Sequence, residues 1–122
     1  MFDKIQPFIT ELSNYFDSVS IANDDALQKA NRAVIFIDRI IPEYLTSTRI
    51  RKHCEIAIMF SVSGEPEIAY QNADEKIANI ETALDNSFAY YELSDFQYSY
   101  QHNVKRLFVF VRARFYWEET RS

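Results

Sequence analysis

The chain has 122 residues, 48% of them hydrophobic and 25% charged, with a net charge of −5 and a pI near 5.0. That length suits one domain, 1–122, with a core of its own, and the acid excess argues against a dedicated duplex binder, whose affinity comes from neutralising phosphates. A lone cysteine, Cys54, allows neither an internal disulfide nor a metal-binding pair.

Ile5, Phe8, Ile9, Leu12 and Phe16 recur at spacings of three and four, which predicts an amphipathic helix over 3–16. Asp3 is its expected N-cap, and Pro7 is tolerable only near the first turn. Val19 and Ile21 alternate as in a short strand, and a polar loop is expected through "DDALQKAN". "RAVIFIDRII" is β-branched enough for a buried strand ending at Pro42. "EYLTSTRIRKH" reads as a hairpin connection or an exposed strand extension. In "CEIAIMFSVS" the residues Cys54, Ile56, Ile58, Phe60 and Val62 share one face of a strand, with Glu55, Ala57, Met59 and Ser61 on the other.

The only glycine, Gly64, opens a strand-to-helix turn in which Ser63 or Gly64 is the expected cap and Pro66 falls in the first helical turn. The following helix should bury Ala69, Ala73, Ile77, Ile80 and Leu84. Its outer face should carry Glu67, Asp74, Glu75, Glu81 and Asp85 against Lys76. "SFAYYELSDFQYSY" predicts a strand bulged around Ser94 and Asp95, "QHN" a turn, and "KRLFVFVRARFYWEE" the closing strand. The order helix, three strands, helix, two strands predicts an α+β fold. Two helices would cover one face of a mainly antiparallel sheet of about five strands.

The closing strand poses the functional question. Period two puts Leu107, Val109, Val111, Ala113, Phe115 and Trp117 on a core face. Arg106, Phe108, Phe110, Arg112, Arg114 and Tyr116 share the other. Large apolar groups on that second face call for a cover. Aromatic rings beside arginines are what RNA-binding sheets use, yet they are also what enriches protein–protein interfaces. Arginine stems lying over the rings would be a third explanation. The interface reading fits the acidic total best.

Catalytic signatures are missing. One glycine cannot make a phosphate-cradling loop. His53 and Cys54 are adjacent on a strand, so they point to opposite faces and are badly placed to share a proton. His102 falls in a turn. Glu92 and Asp95 read as surface carboxylates, and the acidic helix lacks calcium-loop spacing. No enzyme, metal or cofactor is expected. Arg49, Arg51 and Lys52 form a basic group opposite in sign to the acidic helix, an arrangement suited to head-to-tail contact between copies.

The succession "RIRKH", "CEIAIMFSVS", the "GEP" turn, "EIAYQNADEKIANIETAL" and "VKRLFVFVRARFYW" resembles the tail terminator (tail completion, tail-to-head joining) proteins of long-tailed bacteriophages over Arg49 to Trp117. That resemblance implies a virion protein forming a ring, a hexamer in that family, on the end of the tail tube. Such a ring stops tube growth and meets the head-completion or connector protein. It implies no cofactor, no membrane and no specific DNA contact, since DNA passes through the ring. The Glu67–Asp85 face would be a candidate lumen surface. With no cationic-then-apolar leader at the N-terminus and no apolar run near the ~18 residues of a membrane span, assembly is expected in the bacterial cytoplasm. Another neck component, or a small RNA-binding module using Phe108 and Phe110, are the competing readings.

Overall fold

The computed structural model describes residues 2–121. In chain order the elements are α1 (Phe2–Leu12), β1 (Ser18–Ile21), a short 3-10 helix (Asp24–Gln28), β2 (Arg32–Tyr44), β3 (Arg49–Ser63), α2 (Pro66–Ser87), β4 (Tyr91–Gln101) and β5 (Arg106–Thr120). The strands form one sheet in the order β1-β2-β3-β5-β4. β1 runs parallel to β2, and every other pairing is antiparallel. This is the predicted α+β architecture.

Alternation decides what each strand face meets. In β3, Ile50, Cys54, Ile56, Ile58, Phe60 and Val62 are buried on the helix side. Their β5 counterparts Leu107, Val109, Val111, Ala113, Phe115 and Trp117 are buried beside them. Helix α1 adds Ile5, Phe8 and Leu12, and α2 adds Ala69, Ala73, Ile77, Ile80, Ala83 and Leu84. The alanines let α2 lie close to the sheet, and Phe88 just beyond it stacks on Phe115 at 3.8 Å.

Several boundaries differ from expectation. α1 begins at Phe2, so Asp3 lies within the first turn and does not cap it, and Pro7 sits inside the helix. Pro7 is exposed and lacks the N–H that an interior helical residue would donate. The loop 24–31 contains the 3-10 helix. β2 continues through Pro42 to Tyr44, because beyond Ile35 it has β3 on one side only and the proline costs no ladder bond on its free edge. The cap of α2 is Glu65, with neither Ser63 nor Gly64 in that role, and it makes no side-chain cap hydrogen bond.

Gly64 instead has φ +131°, a backbone that side chains rarely adopt. Its N–H donates to the Lys105 carbonyl at 3.0 Å, and its own carbonyl accepts from Tyr100 Oη at 2.7 Å. One residue thereby ties the end of β3, the start of α2 and the β4–β5 hairpin together. The bulge expected in β4 is present, as a register shift between Leu93 and Asp95. A second one, between Ile37 and Arg39 of β2, was not expected.

Candidate interaction surface

Among the described residues, only the 3-10 helix lies over the face of the sheet opposite the helices. Arg106 anchors that turn: its Nη1 donates to the Leu27 carbonyl at 3.1 Å and to Ser61 Oγ at 3.4 Å. Val34 and Ala57, which face this side, are buried. Further along, cover runs out. Leu27, Met59, Phe108 and Phe110 line a groove of about 170 Å³, with Gln97 and Ser99 at its margin. Both phenylalanines are half-buried.

Arginines partly roof them. The Arg106 guanidinium lies 5.0 Å from the Phe108 ring centre, and that of Arg112 lies 5.4 Å from Phe110. Cation–π attraction of this kind lowers the cost of exposed rings without enclosing them. It is the guanidinium heads that lie by the rings, and they are bonded to Leu27, Ser61 and Asp38, which differs from stems covering the rings with their heads in solvent and leaves the groove open.

Beyond the groove the same face becomes a lattice of opposite charges. The β2 bulge turns Asp38 and Arg39 to this one side. Asp38 Oδ2 accepts from Arg112 Nη1 at 2.6 Å. Glu55 accepts from Arg39 Nε at 2.6 Å and stands 3.1 Å from Arg114 Nη2. The hydrogen bond from Arg39 holds the Glu55 carboxyl below its ordinary value, with the nearby charges of Arg39, Arg114 and Arg112 adding to it against the cost of burial. Arg114 Nε is buried and bonds to nothing among the described residues.

At the far end Tyr116 packs between His53, 5.7 Å away, and Tyr90, also 5.7 Å away, with Arg51 4.5 Å above its ring. Arg106, Phe108, Phe110, Arg112, Arg114 and Tyr116 thus share one face as predicted. Three distinct environments succeed one another along it.

The basic group behaves otherwise. Arg49, Arg51 and Lys52 lie within β3, and Lys52 projects to the helix side opposite Trp117. Arg51 Nη2 lies 2.8 Å from Glu118, Arg49 pairs with the same carboxylate, and Lys52 Nζ lies 2.9 Å from Glu119. The three cations form no free positive patch, so they offer little to the acidic helix of another copy.

The acidic set divides as well. Glu67, Asp74 and Glu81 recur every seven residues, with Asp85 four further on, so they share a stripe with Tyr70. This stripe lies along β4: Tyr70 and Tyr98 rings are 5.6 Å apart. Beyond the effect of burial, Asp74 acts on the Tyr98 hydroxyl, and Asp85 and Glu81 on that of Tyr91, to push both pKa values up. Glu75 belongs to the opposite flank, beside Asn72 and Lys76. Lys76 does not oppose the stripe; its Nζ donates to the Tyr15 carbonyl and lies 4.8 Å from the Phe16 ring.

Cys54 is buried on the helix side, and desolvation pushes its thiol up to about 11. His53 faces the other way, 3.6 Å from Glu43. Asp95 accepts from Gln97 at 2.8 Å. No group of three or more His, Cys, Asp or Glu side chains among the described residues is arranged to hold a metal, and no helix is long and apolar enough to cross a membrane. Sequence reasoning missed Leu27, Met59, Asp38, Arg39 and Glu55 as parts of this surface. Asp38 and Arg39, charged neighbours inside an apolar strand, were the available signal.

No protein-family model matches the chain, and no curated protein matches it.

Proposed function

We propose that the chain is a structural subunit of a phage tail terminator ring, which ends a tail tube and joins it to the head. The observation that carries this reading is the uncovered groove of Phe108, Phe110, Met59 and Leu27 on a sheet face where Arg112 and Arg114 are matched to carboxylates and Arg106 is bonded to the Leu27 carbonyl. An apolar patch inside a neutralised rim suits a protein neighbour. In the ring that neighbour is the next subunit, and the element order on which the resemblance rests is present here.

The RNA-binding alternative is weakened by the same geometry. Arg112 and Arg114, which would hold phosphates, are engaged by Asp38 and Glu55. A bare acidic lumen wall is also less favoured, because exposed Phe96 and Tyr98 adjoin the Glu67–Asp85 stripe. Another neck component remains the closest alternative within the class.

The test is electron microscopy of particles assembled without the protein. Overlong or headless tails are expected, and restoration by the native chain but not by a folded Phe108→Asp, Phe110→Asp variant. Normal virions without the protein would reject the proposal.

A further inference from the structure

A second uncovered region is the free edge of β4, whose Gln97 and Ser99 stand at the margin of the groove and whose Phe96 and Tyr98 face α2. β4 is the last strand of the sheet. Past its bulge, Asp95–Gln101 pairs regularly with β5 on one side and, among the described residues, has no strand on the other. Such an edge presents unpaired N–H and C=O groups. Edge strands are commonly blunted by lysine or proline; this segment contains neither.

Its side chains toward α2 are aromatic and wet: Phe96 is 41% and Tyr98 40% exposed, and Tyr70 of the helix is 43% exposed beside them. Along the helix wall stand Glu67, Asp74, Glu81 and Asp85. None of the four makes an ion pair among the described residues.

We infer that this edge takes up an extended polypeptide segment of a different protein, in which lysines or arginines alternate with apolar residues. A strand added to β4 would satisfy the free backbone groups. Its cations would lie on the α2 side, facing the helix carboxylates and the rings of Phe96, Tyr98 and Tyr70. Its apolar side chains, alternating to the other face, would lie beside Gln97 and Ser99 at the margin of the groove. Charge decides against a second copy. The clustered cations of this chain are held by its own Glu118, Glu119, Glu55 and Asp38.

The experiment is a fluorescence anisotropy titration of the full chain with a synthetic peptide of alternating lysine and valine, long enough to span Asp95 to Gln101. A glutamate–valine peptide is the control. Saturable binding of the basic peptide alone is expected, weakened at least about tenfold by the exposed double reversal Asp74→Lys, Glu81→Lys, as for close interfacial charges. Bound peptide should protect the amides of β4 from hydrogen exchange. Equal binding of both peptides, unchanged binding by the reversed variant, or protection confined to another element would overturn the inference. So would a dimer that forms without peptide and dissolves on Phe96→Lys.

Discussion

β5 carries two faces on one backbone, and they are stabilised by different means. Toward the helices, Leu107 to Trp117 are sealed from water, and Phe115 packs against Phe88 and Trp117. Toward the open side, Phe108 and Phe110 keep part of their surface wet and rely on guanidinium groups above them. Sealing yields fold stability; partial cover leaves surface for a neighbour. The difference shows that alternation of large side chains on both faces of a strand does not by itself mean two cores.

The largest contrast is expected from truncating rings. Phe115→Ala should cost about 3–5 kcal/mol in urea unfolding. Phe110→Ala should cost well under that, since water already reaches its ring. Similar losses for both would erase the distinction between the faces.

Arg106→Ala comes next. It removes the charged donor that holds the Leu27 carbonyl, worth about 1.5–3 kcal/mol for a bond of this type. Faster amide exchange confined to residues 24–28 would show that the 3-10 helix is held on from the open face. Unchanged exchange there would leave Arg106 with its contacts to Ser61 and the Phe108 ring.

Acid should separate the faces more gently. Because the folded Glu55 carboxyl is held below the unfolded value of about 4.3, its contribution is full above that value. It is lost as pH falls through the lower folded one. The gap in stability between native protein and Glu55→Gln should therefore be widest near neutrality and close below about pH 4. A gap independent of pH would assign Glu55 a packing role.

The smallest effect should come from Lys105→Ala. Its pair with Glu65 is about two-thirds exposed on both sides, so a change within about 0.5 kcal/mol is expected by chemical denaturation.

The core was legible in the sequence because burial follows period two and period 3.6, which any one segment displays by itself. The buried stripes of β3, α2 and β5 were all predicted from local spacing. The open face was legible only as a list of residues. What neutralises Arg112 is Asp38, far away in sequence, and it arrives there through a bulge whose one local sign was the charged pair Asp38 and Arg39 inside an apolar strand. Likewise "RIRKH" reads as a basic run until the register of β3 against β5 sets Glu118 and Glu119 beside it. The heptad spacing of Glu67, Asp74 and Glu81 was visible, yet the rotation of α2 that turns them toward β4 is set by how Ala69 and Ala73 seat on the sheet.

Pro42 and the irregularity at Asp38 carry a consequence for how such molecules accumulate. They spoil the outer margin of β2 as a template, while the opposite margin stays serviceable. Beyond the four residues of β1, the β2 border is a poor partner for the β4 edge of another copy, which disfavours stacking of copies border to border.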